Sequence, residues 1–474
     1  MNRNNIWIHI GIAVVLVALA SVLGQIGRWK SALMTKEVPV VKTVTKPVVL
    51  TRTSADGEPE VMVRFKPGVT LTDIRKFAAR NNDRIEDEIE SVTGLVAIDD
   101  LDNANADEVA KQYAAMTELV AYAEKIEEIR LDDPALPVQK KLPAENDPVA
   151  GAPNDPLFSD QWALNNTGQN GGKANAHLDA LKAWAKTQGS SEVVVAVLDT
   201  GVDYAHKDLV ENMWIRPESV PQYSDDELGS IDDLHGFDAS ENAGDPMDDN
   251  GHGTHCAGII GAEGNNGVGI AGINWNVKIM PLKFLGRSGF GSTKNAIEAI
   301  NYAIDRKKNG VNLRVINASW GSTSKSKALE DAIWAASDAG ILFVAAAGNS
   351  STDNDKRGHY PSNYNLPNII SVAALDRSDL LASFSNFGSK TVHIAAPGRE
   401  IPSTWLNDEY REASGTSMAA PYVSGTAALI LANEPNLSMT KLRERLLKSV
   451  DPIDTLLGKV AGGGRLNAAK ALGN

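Results

Sequence analysis

The sequence predicts a three-layer α/β/α domain with a mostly parallel central sheet, preceded by a small α/β sandwich. From residue 154 onward, apolar runs rich in Val and Ile alternate with helical stretches. These runs lack polar alternation, which is typical of strands that helices cover on both faces. Strands are therefore predicted at residues 193–198, 278–284, 313–317, 341–346, 369–373 and 392–395. Helices are predicted at residues 252–261, 293–308, 325–339, 417–433 and 438–449.

The N-terminal part of the chain is typical of an exported protein. Residues 6–26 are mostly apolar and follow Arg3, a pattern that indicates an export signal. The stretch is also long enough to span a bilayer, so a cleaved signal peptide and a retained anchor both fit residues 1–30. Residues 31–57 mix Val, Lys, Thr and Pro and are interpreted as a linker. An extracellular or periplasmic location is expected, with membrane anchoring through residues 6–26 if the segment is kept.

The next predicted unit is a small domain at residues 58–131. Strands are expected at 60–65 and 95–98, and amphipathic helices at 72–81 and 106–116. Residues 132–153 are rich in proline and have no apolar periodicity, which indicates an exposed connection that proteases cut easily. The large domain then occupies residues 154–474.

Composition narrows the class of protein. With 474 residues, 43% of them hydrophobic and 22% charged, the chain can bury a sizeable core. Its net charge of −14 argues against a nucleic-acid partner, because phosphate binding needs a basic face. The single cysteine, Cys256, excludes an internal disulfide framework. The glycine-rich stretch 264–272 lacks the lysine of a phosphate loop, so no nucleotide or other organic cofactor is predicted.

Three short motifs carry the chemistry. Asp199 follows the apolar run 193–198, His252 begins the sequence His-Gly-Thr-His, and Ser417 lies in Ser-Gly-Thr-Ser-Met-Ala-Ala-Pro. A serine hydroxyl is a weak nucleophile until an imidazole takes its proton, and the imidazole needs a carboxylate to hold its tautomer. Ser417 is therefore the candidate nucleophile, His252 the general base and Asp199 the residue that orients it. Covalent acyl transfer is the leading hypothesis.

Each of these assignments has an alternative. Ser417 could be a plain helix N-cap, Asp203 is a rival carboxylate, and His255 is a second imidazole on the same helix. His252, His255 and Cys256 could instead ligate a metal, but no second Cys/His group at a matching spacing supports this. The acyl-transfer interpretation uses all three motifs together and is preferred for that reason.

The three motifs, together with Ala-Ala-Ala-Gly-Asn at residues 345–349, resemble the subtilisin-like serine protease family, and most closely its thermitase and proteinase K members. The resemblance runs from about Asn154 to the C-terminus. It implies a subtilisin-like fold and a serine endopeptidase that hydrolyses peptide bonds through an acyl-enzyme on Ser417. It also implies that the Asn349 amide and the Ser417 backbone N–H bind the oxyanion, although an asparagine after glycine is otherwise a common turn residue.

The resemblance also identifies residues that would bind a protein or peptide substrate. Two segments are expected to flank the peptide as neighbouring strands, namely Gly289, Phe290 and Gly291 in one and Ser319, Trp320 and Gly321 in the other. One wall of the first specificity pocket is expected from Ala346, Ala347 and Gly348. Small apolar walls accept large apolar side chains. Strict arginine specificity is not expected, because residues 322–325 lack the acidic group of the kexin and furin relatives. His359 is expected near this pocket.

Residues 58–131 resemble the inhibitory pro-domain that precedes many subtilisin-like catalytic domains, chiefly at residues 61–68 and 120–124. This implies a zymogen that processes its own chain, with the pro-domain as an intramolecular inhibitor. If the last strand, near residues 126–131, lies in the active-site groove, the cut falls at or after Leu131. The alternative is an accessory domain without an inhibitory role.

Structural calcium is a further implication of the resemblance. Family members bind it through an early residue of the mature chain, an aspartate near the first catalytic strand and a loop after the histidine helix. The matching residues here are Asp155, Asp208 and Asn266. Their oxygen atoms suit a hard cation. A second acidic group is either another ion site or a solvated loop; it consists of Asp238, Glu241, Asp245 and Asp248.

Two other functions are alternatives to a general endopeptidase. A catalytically silent binding protein with this fold would need a broken catalytic set, and none of its residues is missing. A dedicated maturation protease held at the membrane and a broad degrader both remain open.

Overall fold

The computed structural model describes residues 60–102, 104–140, 151–225 and 229–473. These residues belong to one compact unit that spans Ser54–Asn474. The predicted signal or anchor segment at 1–30 and the linker at 31–57 lie outside the described residues. Within the described part of the chain, no helix has both the length and the apolar character needed to cross a membrane.

The small domain is an antiparallel sheet with two helices packed on one face. Its strands are β1 (Val61–Phe65), β2 (Asp83–Glu88), β3 (Leu95–Asp100) and β4 (Val120–Lys125), and its helices are α1 (Leu71–Arg80) and α2 (Ala106–Ala114). The strand order is β2-β3-β1-β4. Thr70 and Asn105 cap the helices by accepting a backbone N–H of the first turn. Val61 and Val63 pack under the helices, whereas Met62, on the opposite face, packs against the large domain.

A nine-stranded, mostly parallel sheet forms the centre of the large domain. Its strands are β7 (Gly189–Asp199), β10 (Phe237–Asp238), β11 (Asn276–Lys283), β13 (Leu313–Ala318), β14 (Leu342–Ala346), β15 (Ile369–Leu375), β16 (Ile394–Pro397), β19 (Val450–Pro452) and β20 (Gly464–Leu466). They lie in the order β10-β11-β7-β13-β14-β15-β16-β20-β19, and the β19–β20 pair at one edge is antiparallel. The helices are α3 (Ala180–Trp184), α4 (His252–Gly261), α5 (Thr293–Lys308), α6 (Lys327–Asp338), α7 (Thr416–Asn433), α8 (Met439–Lys448) and α9 (Ala468–Ala471). The predicted fold class is confirmed.

Helices cover both faces of the central sheet. Along β7, Val193, Val195 and Val197 pack into the core shared with α4 and α7. Val194 and Leu198 pack into the opposite core, shared with α5 and α6. Each such side chain contributes about 1.5–3 kcal/mol when it is buried. Because both faces of the strand are buried, its sequence shows no polar alternation.

Further short strands lie outside these two sheets. They are β5 (Glu128–Arg130), β6 (Val138–Lys140), β8 (Tyr223–Asp225), β9 (Gly229–Ile231), β12 (Phe290–Ser292), β17 (Ile401–Trp405) and β18 (Glu409–Ala413). Strand β6 falls in the predicted connection at 132–153 and pairs with β18. Its Val138 is 62% exposed, so neither face of the strand is a buried apolar face. The sequence of the strand therefore shows no apolar periodicity. Main-chain pairing and a Lys140–Glu412 ion pair of 2.9 Å hold it instead.

Candidate active site

The carboxyl ends of the central strands form the edge where the predicted catalytic residues meet. Asp199 is the last residue of β7 and is fully buried. Its Oδ1 accepts the backbone N–H of Thr200 at 2.8 Å. Gly201 has a φ of 97° and lies so close to the Pro246 carbonyl oxygen that a side chain would collide with it. The chain therefore turns sharply here and leaves the Asp199 carboxylate facing α4.

His252 is the first residue of α4 and pairs with Asp199. The His252 Nδ1 and Asp199 Oδ1 atoms are 2.7 Å apart. In this geometry the carboxylate holds the proton on Nδ1 and leaves Nε2 available for proton transfer. Burial lowers the pKa of the imidazole, but the Asp199 and Asp133 carboxylates outweigh it and place the pKa well above its usual value. His252 thus holds its second proton more firmly than an isolated histidine does.

Asp248 fixes the start of α4. Its Oδ1 accepts the backbone N–H groups of Asn250 and Gly251 at 2.9 and 3.0 Å. Its Oδ2 accepts the backbone N–H and the hydroxyl of Thr254 at 3.0 and 2.6 Å. These bonds satisfy donors that a helix start leaves without partners. The run predicted as an ion site or solvated loop therefore contains the residue that positions His252, and the Asp-Asp-Asn-Gly sequence just before the helix was the available signal.

Ser417 is the second residue of α7 and is 2% exposed. Its hydroxyl donates to the Ser319 carbonyl oxygen at 3.0 Å, and the Ser319 hydroxyl donates to the Ser417 carbonyl oxygen at 2.7 Å. His252 Nε2 makes no hydrogen bond within the described residues and lies 3.4 Å from Asp133 Oδ2. The Asp–His pair is therefore formed, whereas the Ser–His hydrogen bond is not.

Asn349 is held so that its amide N–H groups face the site. Its Oδ1 accepts the backbone N–H and the hydroxyl of Thr416 at 2.8 and 3.0 Å. This fixes the amide orientation and turns Nδ2 outward. Nδ2 lies 3.4 Å from the Asp132 carbonyl oxygen and 3.3 Å from Asp132 Oδ1. The side chain is thus placed to donate to a peptide carbonyl that lies beside Ser417.

Residues 128–133, which we call the cleft segment, cross this site. Strand β5 pairs with β12 in antiparallel fashion, and Arg130 forms an antiparallel bridge with Gly321. The Leu131 N–H donates to the Gly289 carbonyl oxygen at 3.0 Å. The segment therefore runs as an extended strand between the two glycine-rich segments and reaches the catalytic residues at Asp132 and Asp133.

The predicted substrate-binding residues have two different environments. Those that pair with the cleft segment are Gly289, Phe290, Gly291 and Gly321. Ser319 and Trp320 have buried side chains instead. Ser319 supports Ser417 through the bonds given above, and the Trp320 indole N–H donates to the Leu198 carbonyl oxygen at 2.9 Å. Their buried side chains support the substrate-binding groove from the protein interior.

The three residues predicted to form the pocket wall also have different environments. Ala346 ends β14 and Gly348 has a φ of 103°. The Ala347 side chain is fully buried and packs in a separate core cluster. The ring of His359 fills the space beside Gly348, where an added Cβ would lie 2.9 Å from the ring Cδ2. An imidazole therefore lies against this wall, where the sequence predicts small apolar groups.

His359 is 5% exposed, and its Nε2 is 3.9 Å from Asp132 Oδ2. Burial lowers the pKa of the imidazole, while the Asp132 carboxylate and a hydrogen bond to the Ala346 backbone act in the opposite direction. The net direction is downward, so the ring stays neutral more readily than a free histidine.

Asp155, Asp208 and Asn266 lie together. The Asp155 carboxylate accepts the backbone N–H groups of Asn265 and Asn266 at 2.7 and 3.4 Å. The Asn266 amide donates to Asp208 Oδ1 at 3.0 Å, and Tyr410 donates to Oδ2 at 3.2 Å. Burial raises the pKa of Asp155 to about 6 and that of Asp208 to about 7. The two buried carboxylates offer oxygen atoms, which fit a hard cation.

The alternative residues have other partners. His255 Nε2 lies 3.1 Å from the carbonyl oxygens of Ile401 and Arg411, and burial lowers the pKa of His255 to about 4. Asp203 accepts the Asn407 backbone N–H at 3.0 Å. Burial raises the pKa of the Cys256 thiol to about 12. Among the described residues, the cluster of metal-binding side chains is Asp199, His252 and Cys256, which contains the Asp–His pair itself.

Comparison with known proteins gives one consistent result. Residues 190–470 match the model of the subtilase family. A thermophilic serine proteinase of Bacillus sp. (strain AK1) is 38% identical over 319 residues, which are 67% of this chain and 71% of that protein. Subtilisin-like protease 1 of Plasmodium falciparum (isolate 3D7) is 34% identical over 340 residues, which are 67% of this chain and 47% of the relative. A solved protease structure from Pseudoalteromonas arctica PAMC 21717 is 30% identical, with a TM-score of 0.55, and the match covers 68% of this chain and 99% of that one.

Proposed function

The chain belongs to the subtilase family and is a serine endopeptidase. We propose that it is made as an exported zymogen, which cuts its own chain before it cuts other proteins. Its location would be extracellular or periplasmic, and residues 6–26 would hold it at the membrane if they are kept. Its substrates are proteins or peptides bound in extended form.

The proposed catalytic set is Asp199, His252, Ser417 and Asn349. Ser417 Oγ turns from the Ser319 carbonyl toward His252 Nε2, gives up its proton and attacks the carbonyl carbon of the scissile peptide. The carbonyl oxygen takes the negative charge and is held by the Asn349 amide and the Ser417 backbone N–H. His252 then protonates the departing amine. Water, activated by the same imidazole, releases the acyl group from Ser417.

The observation that carries the zymogen proposal is the register of the cleft segment. Asp132 offers its carbonyl oxygen to Asn349 Nδ2 at 3.4 Å, and the preceding residues pair with both glycine-rich segments. The peptide bond between Asp132 and Asp133 is therefore proposed as the one that is cut. This bond lies one residue beyond Leu131, within the range that the sequence predicts.

Contacts of the small domain support its proposed role as an intramolecular inhibitor. Glu124 of β4 accepts the backbone N–H groups of Lys327 and Ala328 at 2.8 and 3.0 Å, at the start of α6. Its carboxylate also accepts the Ser326 hydroxyl at 2.6 Å. A carboxylate at a helix start is favourable because the helix dipole is positive there. This anchor lies just ahead of the cleft segment and holds it in the groove.

The decisive test compares wild type with Ser417→Ala. The wild-type chain should shorten, yield a new N-terminus at Asp133 and hydrolyse casein, whereas Ser417→Ala should do neither. Ser424→Ala removes another buried hydroxyl of α7 and is the matched control; it should process normally. Normal shortening of Ser417→Ala would mean that another protease makes the cut. Absence of hydrolysis in a folded, shortened wild type would overturn the assignment of the catalytic residues.

We propose in addition that Asp155 and Asp208 hold a structural calcium ion, with Asn266 beside them. The ion would supply positive charge between two buried carboxylates whose pKa values are raised by burial. It would tie the start of the large domain to the loop after α4. Support comes from the donor set alone, since Asp155 and Asp208 offer carboxylate oxygens as a hard cation requires. Asn266 would have to turn its amide oxygen away from the Val268 N–H to join them.

A further inference from the structure

The imidazole of His359 closes the pocket that lies beside the scissile bond. The ring lies between Gly321 and Gly348, and a Cβ on either glycine would overlap it or press against it. These two glycines belong to the two segments that border the pocket. The depth available to a bound side chain is therefore set by the ring, and a large apolar side chain meets a polar group there.

The cleft segment shows which substrate side chain enters this pocket. With Asp132 directly before the proposed scissile bond, its side chain is the one that faces Gly348 and His359. Asp132 Oδ2 stops 3.9 Å from His359 Nε2, which is too far for a hydrogen bond. The carboxylate bonds instead to the Asn349 backbone N–H at 3.3 Å and to Asn349 Nδ2 at 3.3 Å. It thus occupies a donor that the oxyanion needs.

A glutamate at the same position would carry its carboxylate about 1.3 Å further, by the length of one methylene projected along the chain. That distance brings an oxygen within hydrogen-bonding range of His359 Nε2 and takes the charge away from Asn349. We propose that this pocket selects an acidic side chain before the cleaved bond, glutamate best, and that His359 is the residue that selects it. The inference rests on the proposed function and specifies its substrate class.

The surroundings of His359 support a carboxylate partner. Asp132 is the charged residue that acts on the ring, beside a hydrogen bond to the Ala346 backbone, and Nδ1 has no hydrogen bond within the described residues. The ring is buried and held by its backbone, where the His359 N–H donates to Asn363 Oδ1 at 3.1 Å. A neutral imidazole donates one N–H, and its bond to a carboxylate is about twice as strong as its bond to a neutral amide.

The test uses peptides with the sequence of residues 128–137, varied at the position of Asp132 to Glu, Gln, Asp or Leu. Processed wild-type enzyme should cleave the Glu peptide with a kcat/KM at least about tenfold above the Gln and Leu peptides. In His359→Leu this preference for the Glu peptide should disappear. Labelling of Ser417 with a fluorophosphonate counts competent active sites in each sample, so a folding loss does not enter the ratio.

A second measurement leaves His359 in place. In the full chain, Asp132→Glu should process at least about threefold faster than Asp132→Gln, because only the glutamate gains a charge-assisted bond. Equal rates for these two variants would overturn the proposal, as would a wild-type preference for Leu or a Glu preference that survives in His359→Leu. If wild type neither labels with the fluorophosphonate nor cuts any peptide, the proposed function itself fails. That outcome is distinct from efficient cleavage without acid preference.

Discussion

At the scale of single residues, Asp133 faces the catalytic histidine in the intact chain. Its Oδ2 lies 3.4 Å from His252 Nε2, the atom that has to receive the Ser417 proton. Ser417 is turned to the Ser319 carbonyl oxygen instead. The carboxylate also contributes to the raised pKa of His252. In the proposed zymogen, the cleft segment would both supply the first substrate and restrain the base that cuts it.

We expect self-cleavage and peptide hydrolysis to differ in their pH dependence. The base works only when His252 is deprotonated, so self-cleavage of the intact chain should rise with pH through a raised pKa. Once the bond is cut and Asp133 leaves, the pKa falls, and hydrolysis of added peptide should reach its plateau at lower pH. Asp133→Asn should shift the self-cleavage profile of the full chain toward lower pH.

The profiles are obtained from the rate of chain shortening between pH 5 and pH 10. Glu128→Gln is the control, because it removes a carboxylate of the same segment that pairs with Arg130 and lies away from His252. It should leave the midpoint in place. Identical midpoints for wild type and Asp133→Asn would contradict this account.

At the scale of elements, the main-chain pairing of the cleft segment sets its register. The bond from the Leu131 N–H to the Gly289 carbonyl lies next to Asp132 and fixes how far the segment enters the site. Leu131→Pro removes this donor and should slow processing of the full chain by at least about tenfold. Leu131→Ala keeps the N–H and should process much closer to wild type. The readout is a time course of chain mass, and equal rates for the two variants would argue against this register.

The loop after α4 and the start of the large domain form the second element-scale feature. We expect calcium removal to lower the melting temperature of Ser417→Ala, a variant that cannot digest itself, by at least about 5 °C. Asp208→Asn should melt at one temperature with and without a chelator, since it removes a central ligand. Asp245→Asn, in the other acidic run, should keep the response to the chelator. A chelator without effect on the Ser417→Ala chain would refute the calcium proposal.

At the scale of the whole molecule, the small and large domains meet through pairs of carboxyl groups. Burial, followed by Asp225, raises the pKa of Glu90 to about 7, and hydrogen bonds to Asn301 and the Glu90 backbone act in the opposite direction. Glu298 of α5 is fully buried, and burial and Asp87 raise its pKa well above the usual value. A Lys294–Asp87 ion pair of 3.0 Å lies at the same interface. We therefore expect association of the domains to take up protons.

The sign of the pH effect follows from these raised pKa values. Protonated Glu90 stabilises the association of the two domains fully below the ordinary glutamate pKa. This stabilisation is lost as pH rises through about 7. After cleavage, the small domain should stay bound at pH 5.5 and dissociate more readily at pH 8. Co-elution of the two fragments in gel filtration measures this. Glu90→Gln should weaken the pH dependence and the exposed Glu108→Gln should not. Tighter association at pH 8 would contradict the prediction.

Much of the fold could be predicted because its signals are local. The six longer strands of the central sheet show mostly apolar runs, since both faces of a strand such as β7 are buried. Strands β10, β19 and β20 have only two or three residues and leave no such run in the sequence. Helices α4 and α5 begin and end at the predicted residues, His252–Gly261 and Thr293–Lys308. Strand β6 could not be predicted, because an exposed strand held by main-chain pairing leaves no side-chain pattern.

By itself, the sequence determined the fold class, the order of the catalytic motifs and the family. Hydrophobic periodicity and short motifs each involve residues that are close together in the chain, so they can be recognised without the tertiary structure. Only the tertiary structure decided that Asp132 meets Asn349, 217 positions further along the chain. It also placed the His359 ring against Gly321 and Gly348, whereas the sequence indicated only that His359 lies near the pocket. Contacts of this kind depend on how distant strand ends pack at one edge of the sheet, and no local pattern encodes that packing.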